Sequence, residues 1–218
     1  MTPDSIEPTG PCVGSFTVQV YAKDVIMLTS YDLELSFNPA LVKVTAVVNG
    51  GWLSGQQAFT PVIDNTTGKI RFGWVRYSGN DPVTGTGSLI KITFEPKDRL
   101  AGTSAFTISD TSTMVTWEYP YEGYPIPYDI TGGASVNFGS VVTNVDTGVS
   151  HCFAPPAFVA ATSGNTLRVD MSYSYSLPIT IDKTLILDTN GKTVARTGTM
   201  LGTGVFRVIG GDLTITGG

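Results

Sequence analysis

The sequence is poor in the residues that do chemistry. Its 218 residues hold one histidine and two cysteines, and only 14% are charged. A serine triad needs a histidine and a nucleophile elbow; no Gly-x-Ser-x-Gly occurs, and Gly51-Trp52-Leu53-Ser54-Gly55 has the wrong spacing. His151 and Cys152 are neighbours, yet adjacent side chains of extended backbone point to opposite faces, so the ring does not reach the sulfur as a base must. A zinc site takes about four ligands, and Cys12, Cys152 and His151 do not supply them, so no metal ligand set is assigned. Five glutamates, most of them among polar strand residues, offer little to a paired-carboxylate glycosidase. No catalytic residue is assigned and the chain is read as a non-enzyme.

Other absences narrow the partners. Thirteen basic residues against eighteen acidic give a net charge of −5, with no basic stripe for a phosphate backbone, so nucleic acid is excluded. Apolar runs such as Val25-Ile26-Met27-Leu28 are far too short to span a bilayer. Met1-Thr2-Pro3-Asp4 has neither a basic head nor an apolar stretch, so the chain reads as one whose targeting segment is already gone.

What is present is threonine, serine, 25 glycines and 13 prolines beside 41% hydrophobic residues, an all-β composition. An even cysteine count in such a low-lysine chain suggests a Cys12–Cys152 disulfide and an extracellular or cell-surface setting; two buried free thiols are the alternative. Strands are expected at Ser15–Ala22, Tyr31–Phe37 and Val42–Val48, then in a hairpin of Ala58–Ile63 with Ile70–Tyr77 across Asp64–Gly68. Others follow at Leu89–Phe94, Ser104–Ile108, Met114–Trp117 and Ala134–Phe138. The clearest is Tyr31-Asp32-Leu33-Glu34-Leu35-Ser36-Phe37, apolar and polar in strict alternation. Pro39–Val42 fits a single helical turn, and Gly85-Thr86-Gly87 and Gly202-Thr203-Gly204 read as turns. About nine short strands make an antiparallel sandwich over 1–139.

A smaller β-module is expected over 140–218, the boundary set by the change of composition from Gly139 to Pro156. Its strands are expected at Phe158–Ala161, Leu167–Tyr175, Leu185–Leu187, Val194–Arg196, Val205–Ile209 and Leu213–Ile215. Asp188–Lys192 is expected to join two of them as a hairpin, and the disulfide to tie the module to the first domain.

The first 138 residues resemble a cohesin module. The likeness rests on an ordered series: Thr17–Val25, Tyr31–Pro39, Leu41–Val44, Gly68–Trp74, Gly87–Phe94 and Ala101–Ser104. The resemblance implies a non-catalytic nine-stranded sandwich that binds a small calcium-loaded partner module, the dockerin, and so attaches proteins to scaffolds or cell surfaces. The approach Val25–Ser30 is shorter than the family's, and Trp117–Tyr128 looks like an insertion.

That insertion is the candidate binding segment. Trp117, Tyr119, Tyr121, Tyr124 and Tyr128 stand among three prolines, which stiffen a loop and reduce the entropy lost on docking. Such rings suit a protein partner, packing within the chain, or stacking on sugars, which makes a carbohydrate-binding module the alternative. No cofactor is assigned; calcium is admitted at the Asx turns Asp64-Asn65 and Asp188-x-Asn190-Gly191, although such residues usually bond their own backbone. Self-association is the other protein-partner reading. Few charges guard the β-edges, least of all the segments Val205–Ile209 and Asp212–Thr216, as in a self-assembling surface-appendage subunit.

Overall fold

The computed structural model describes residues 12, 14–53, 59–75, 82–98, 100–118, 122–130, 133–197 and 204–217. It divides into two compact units. The first comprises Gly14–Lys97 and Thr103–Val136; the second comprises Asn137–Gly218 together with Asp98–Gly102 and Cys12.

The first unit is a nine-stranded antiparallel assembly: β1 (Phe16–Ser36), β2 (Val42–Asn49), β3 (Val62–Asp64), β4 (Lys69–Val75), β5 (Val83–Pro96), β6 (Gly102–Ile108), β7 (Thr113–Glu118), β8 (Glu122–Pro125) and β9 (Ala134–Phe138). The strands expected at Ser15–Ala22 and Tyr31–Phe37 are one continuous strand. Its buried residues run Phe16, Val18, Val20, Ala22, then Val25, Leu28 and Tyr31, then Leu33 and Leu35. The spacing lengthens from two to three where Asp24 and Met27 take positive φ of 54° and 55°. Each inserts one residue as a bulge and restores the inward face. Their N–H groups donate to the hydroxyls of Thr86 (3.1 Å) and Thr84 (3.0 Å) on β5. Gly85-Thr86-Gly87 is therefore not a turn: it lies inside β5, with Gly85 at φ 115° opposite Val25. A Cβ at Gly87 would fall 2.1 Å from the Trp52 ring, so glycine there admits the indole.

Before the bulges β1 pairs with β5, and β5 with β2; after them it pairs with β4 on one side and β7 on the other. One strand thus serves both layers. Between them pack Phe16, Phe94, Phe37 and Phe106, the last two pairs of rings 5.4 Å (Phe37–Phe94) and 4.7 Å (Phe94–Phe106) apart. Tyr31 donates its phenol to the Leu89 carbonyl at 2.7 Å, and burial pushes its pKa well above the usual tyrosine range. The expected hairpin is present as β3 with β4, turned at Asp64–Gly68. The helical turn at Pro39 is present too, closed by Val42 N–H to the Asn38 carbonyl at 3.2 Å.

The second unit departs from expectation. It contains β10 (Val142–Asn144), β11 (Ser150–His151), α1 (Ala154–Ala160), β12 (Thr166–Val169), β13 (Tyr173–Tyr175), β14 (Ile179–Ile181), β15 (Leu185–Asp188), β16 (Val194–Arg196), β17 (Phe206–Val208) and β18 (Leu213–Thr216). The strand expected at Phe158–Ala161 is helix α1. Pro155-Pro156 occupy its first turn, where a missing N–H costs nothing, and Ala154, Ala157 and Phe158 are buried at helical spacing. The strand expected over Leu167–Tyr175 is two, broken at Asp170-Met171-Ser172.

Asp188–Lys192 is a turn but no hairpin, because β15 and β16 do not pair. Instead β12, β15 and β18 run parallel side by side, as do β13 with β16 and β14 with β17. The chain therefore winds in coils: β12-β13-β14 form one, β15-β16-β17 the next, and β18 begins a third. Inward side chains stack in columns between coils. Leu167, Val169, Ile179, Ile181, Leu185 and Leu187 are fully buried with Val141, Val142 and Phe158. At the first coil β12 is covered by β10 in antiparallel register.

The structure joins Cys12 to Cys152, with Cα atoms 5.1 Å apart. The sequence reading had the bridge tie the second module to the first domain; instead both half-cystines belong to the second unit. Beside it Ala101 N–H bonds the Ser150 carbonyl at 2.9 Å, which brings the Asp98–Gly102 segment to β11.

Candidate protein-interaction face

The expected aromatic segment is partly described. Trp117 stands in β7 opposite Gly123, and Tyr124 in β8 opposite Thr116, within a short hairpin. Tyr119 and Tyr121 lie outside the described residues. Tyr128 follows in a stretch pinned by the Ile126 N–H bond to the Met114 carbonyl, 2.9 Å. The Tyr128 phenol donates to the Ser112 carbonyl, so this ring is engaged within the sandwich. Burial, and then the Asp110 charge, hold its pKa above the usual range. Between this stretch and the bulged part of β1 lies a cleft of about 730 Å³ lined by Val20, Val25, Leu33, Met114, Ile126 and Tyr128, among others. The cleft is mostly apolar, and Lys23, Asp24 and Asp129 also line it. It can hold an apolar side chain.

The two Asx turns bond themselves. Asp64 accepts the Thr66 N–H at 2.8 Å and the Thr67 hydroxyl at 2.6 Å, and those bonds lower its pKa, the Thr67 hydroxyl foremost. Asp188 accepts the Asn190 N–H at 2.9 Å.

A second surface has no counterpart in the sequence reading: the outward side of β3, β4 and the later part of β1. Pairing places Val62 beside Arg71 and Arg71 beside Glu34, with Gly73 beside Asp32. Outward residues of neighbouring strands thus form one surface, because side chains directly opposite share a face. Arg71 grips Asp32 through two nitrogens, Nη2 at 2.6 Å and Nε at 3.1 Å. That bond first, and the Asp32 charge second, raise the guanidinium pKa. Lys69 reaches Glu34 at 3.4 Å. Beside these paired charges stand two exposed apolar side chains, Val62 (64% exposed) and Phe59 (60%). Phe59 is anchored by its N–H to the Gly73 carbonyl at 3.1 Å, and its ring lies where a Cβ on residue 73 would be, 3.0 Å away. Glycine in the strand therefore makes a platform for an exposed ring. That glycine, interrupting Lys69–Val75, was the one sequence signal of a close approach.

The cohesin-domain family model matches residues 7–117, just over half of the chain. The chain belongs to the cohesin family. Solved cohesins share its fold. The seventh ScaB type I cohesin of Pseudobacteroides cellulosolvens aligns at a TM-score of 0.50 and 19% identity, over 57% of this chain and 82% of that one. The third ScaC cohesin of Acetivibrio cellulolyticus, solved in complex with the ScaB dockerin, aligns at 0.51 and 13%, over 60% and 93%. The sixth scaffoldin B cohesin of the same organism, in complex with a Cel5 dockerin, aligns at 0.50 and 15%, over 62% and 94%. No curated protein matches the chain. The match ends at residue 117, so the parallel coils lie beyond the cohesin region. Cohesin homologues are non-catalytic protein-interaction domains, and among the described residues no helix is long and apolar enough to cross a membrane.

Proposed function

We propose that this chain is a docking module that attaches a small protein partner at a cell surface, and that the partner seats on the outward side of β3, β4 and β1. The observation that carries this reading is the exposed Phe59–Val62 pair beside the Asp32–Arg71 ion pair in a chain of the cohesin family. Exposed apolar anchors rimmed by charge are what a protein partner buries first. The charges on this face already neutralise one another, so a partner covers them without leaving a charge unpaired. Two of the solved cohesins of similar fold were captured with dockerins, which makes a dockerin the partner chemistry to try. An extracellular setting agrees with the disulfide.

Calorimetric titration of the full chain with calcium-loaded dockerin modules tests the reading. A one-to-one complex is expected, weakened about tenfold or more by Phe59→Ala with Val62→Ala, the loss of two anchors. Binding that ignores both substitutions overturns this face; absence of binding to every dockerin tried overturns the partner class.

A further inference from the structure

A side chain joins the two ends of the strand path through the sandwich. The path runs β2-β5-β1-β4-β3, so β2 and β3 stand at its opposite ends. From the turn after β3, Asn65 reaches β2. The Val44 N–H donates to its Oδ1 at 2.7 Å, and its Nδ2 donates to the Val44 carbonyl at 3.1 Å. An amide that takes both main-chain groups of one residue does what a neighbouring strand does in an antiparallel ladder. Val44 is buried, and it lies where β2 slips against β5, between Val44 and Ala46.

The tie bears on β3 more than on β4. β4 lies along β1 from the pair Ser30–Val75 to the pair Ser36–Lys69. Gly68, at the far end of the turn, is fixed as well, because Phe37 N–H donates to its carbonyl at 2.9 Å. β3 is three residues long, Val62–Asp64, and pairs with β4. Asp64 spends its carboxylate inside the turn on Thr66 and Thr67, which ties the turn to itself. Asn65, which follows at once, ties it to β2.

We propose that Asn65 is the positioning residue of the docking face: its clamp on Val44 fixes β3, and with it Val62, relative to Phe59 and the Asp32–Arg71 pair. This rests on the reading of that face as the docking surface. Asn65 acts through β3, so replacing it leaves every anchor chemically intact and changes only where Val62 stands. An amide supplies both halves of the clamp, and so does a neutral carboxylic acid. Aspartate at 65 keeps an acceptor for the Val44 N–H. Ionised, it sets an oxygen against the Val44 carbonyl where a donor stood; protonated, its O–H donates there again. The bonded form is the neutral one, which raises the folded-state pKa of such an aspartate. The clamp is therefore lost above that pKa and regained as pH falls through it.

Amide and methyl NMR of the full chain reads the clamp with no partner present. In Asn65→Ala the Val44 N–H should exchange about fivefold or more faster than in the parent, and the Val62 methyl signals should move. Ile90→Val, which trims a fully buried position of β5, should destabilise the sandwich and leave those signals in place. In Asn65→Asp the Val62 signals should be displaced at pH 7 and rejoin the parent's, compared at each pH, below about pH 4. The charges beside this position, Asp64 in the turn and Lys43 with Glu95 on β2 (3.1 Å), are common to both chains. The return should persist in an Asp64→Asn background, which removes repulsion between adjacent carboxylates. With a dockerin that binds the parent, Asn65→Ala should weaken the complex about threefold or more. A Val44 amide that exchanges no faster, Val62 signals that stay in place, or no return at low pH overturns the clamp. Unchanged affinity with Val62 displaced overturns the positioning role. A parent that binds no dockerin overturns the docking reading, while the NMR outcomes still decide the clamp.

Discussion

In the sandwich, burial is decided along a strand. Phe16, Val18, Val20 and Ala22 alternate with exposed neighbours, and even the two bulges of β1 serve to keep Val25 and Leu28 on the inner side. In the coil unit no described strand of the stack exceeds four residues, and burial is decided between strands, down columns such as Leu167–Leu187–Ile215. A sandwich residue is covered by the facing layer of its own unit. A coil residue is covered by the coils beside it in the stack, as Leu187 is between Leu167 and Ile215.

The largest expected effect comes from the disulfide. Reduction, or Ser at both Cys12 and Cys152, removes a link across 140 residues, worth about 4–5 kcal/mol in the chain-entropy model. The closed loop takes in the whole sandwich, so calorimetry should show unfolding of the chain as a whole move to lower temperature. An unchanged Tm would refute the stabilisation, and free thiols in non-reduced peptide mass spectra would remove the bridge. Phe94→Ala acts on one unit. It empties the centre of the phenylalanine cluster, costs about 3–5 kcal/mol, and should lower the sandwich transition alone.

Within the coils one column sharpens the comparison. Leu187→Ala should cost about 2–5 kcal/mol, whereas Ile215→Ala, at a position 57% exposed, should cost about 0.5 kcal/mol or less. Chemical denaturation followed by circular dichroism reads both, and similar losses would show that the end of the stack is covered. A smaller effect depends on pH. His151 is buried in β11 with its Nδ1 unpartnered, and burial holds its pKa below the ordinary 6.5, partly opposed by its bond to the Asp98 carbonyl and the Asp98 charge. As pH falls below about 6.5 the unfolded chain takes the proton first. The coil unit is therefore most stable above that pH and loses stability as pH falls through the depressed value. The coil-unit Tm should drop between pH 7.5 and 5 in the parent, and His151→Gln should flatten that drop; an unchanged slope would refute the role given to this ring.

Much of the sandwich was legible because its signal is local. Tyr31–Phe37 carries seven residues of alternation, and the hairpin at Asp64–Gly68 carries its own turn residues. The joining of two expected strands into β1 was not legible. Asp24 and Met27 take positive φ without being glycine, and the hydroxyls that hold their N–H groups lie far away in sequence, on β5. The coils were hidden for another reason. Three or four residues are too few to show a period of two, and β14, β10 and β11 were missed altogether. Pro155-Pro156 read as a break, though proline suits the first turn of a helix equally well. The aromatic segment was visible from composition alone. The Phe59–Val62 face was not, because only strand pairing brings Val62, Arg71, Asp32 and Gly73 together.

The central claim is that the outward side of β3, β4 and β1 docks a protein partner, and one set of sedimentation runs tests it: parent and Phe59→Ala with Val62→Ala, each with and without a calcium-loaded dockerin. The account predicts that the parent forms a one-to-one complex and that the variant, folded as the parent is, loses it. A variant that binds as the parent does, or a parent that binds no dockerin, would contradict it.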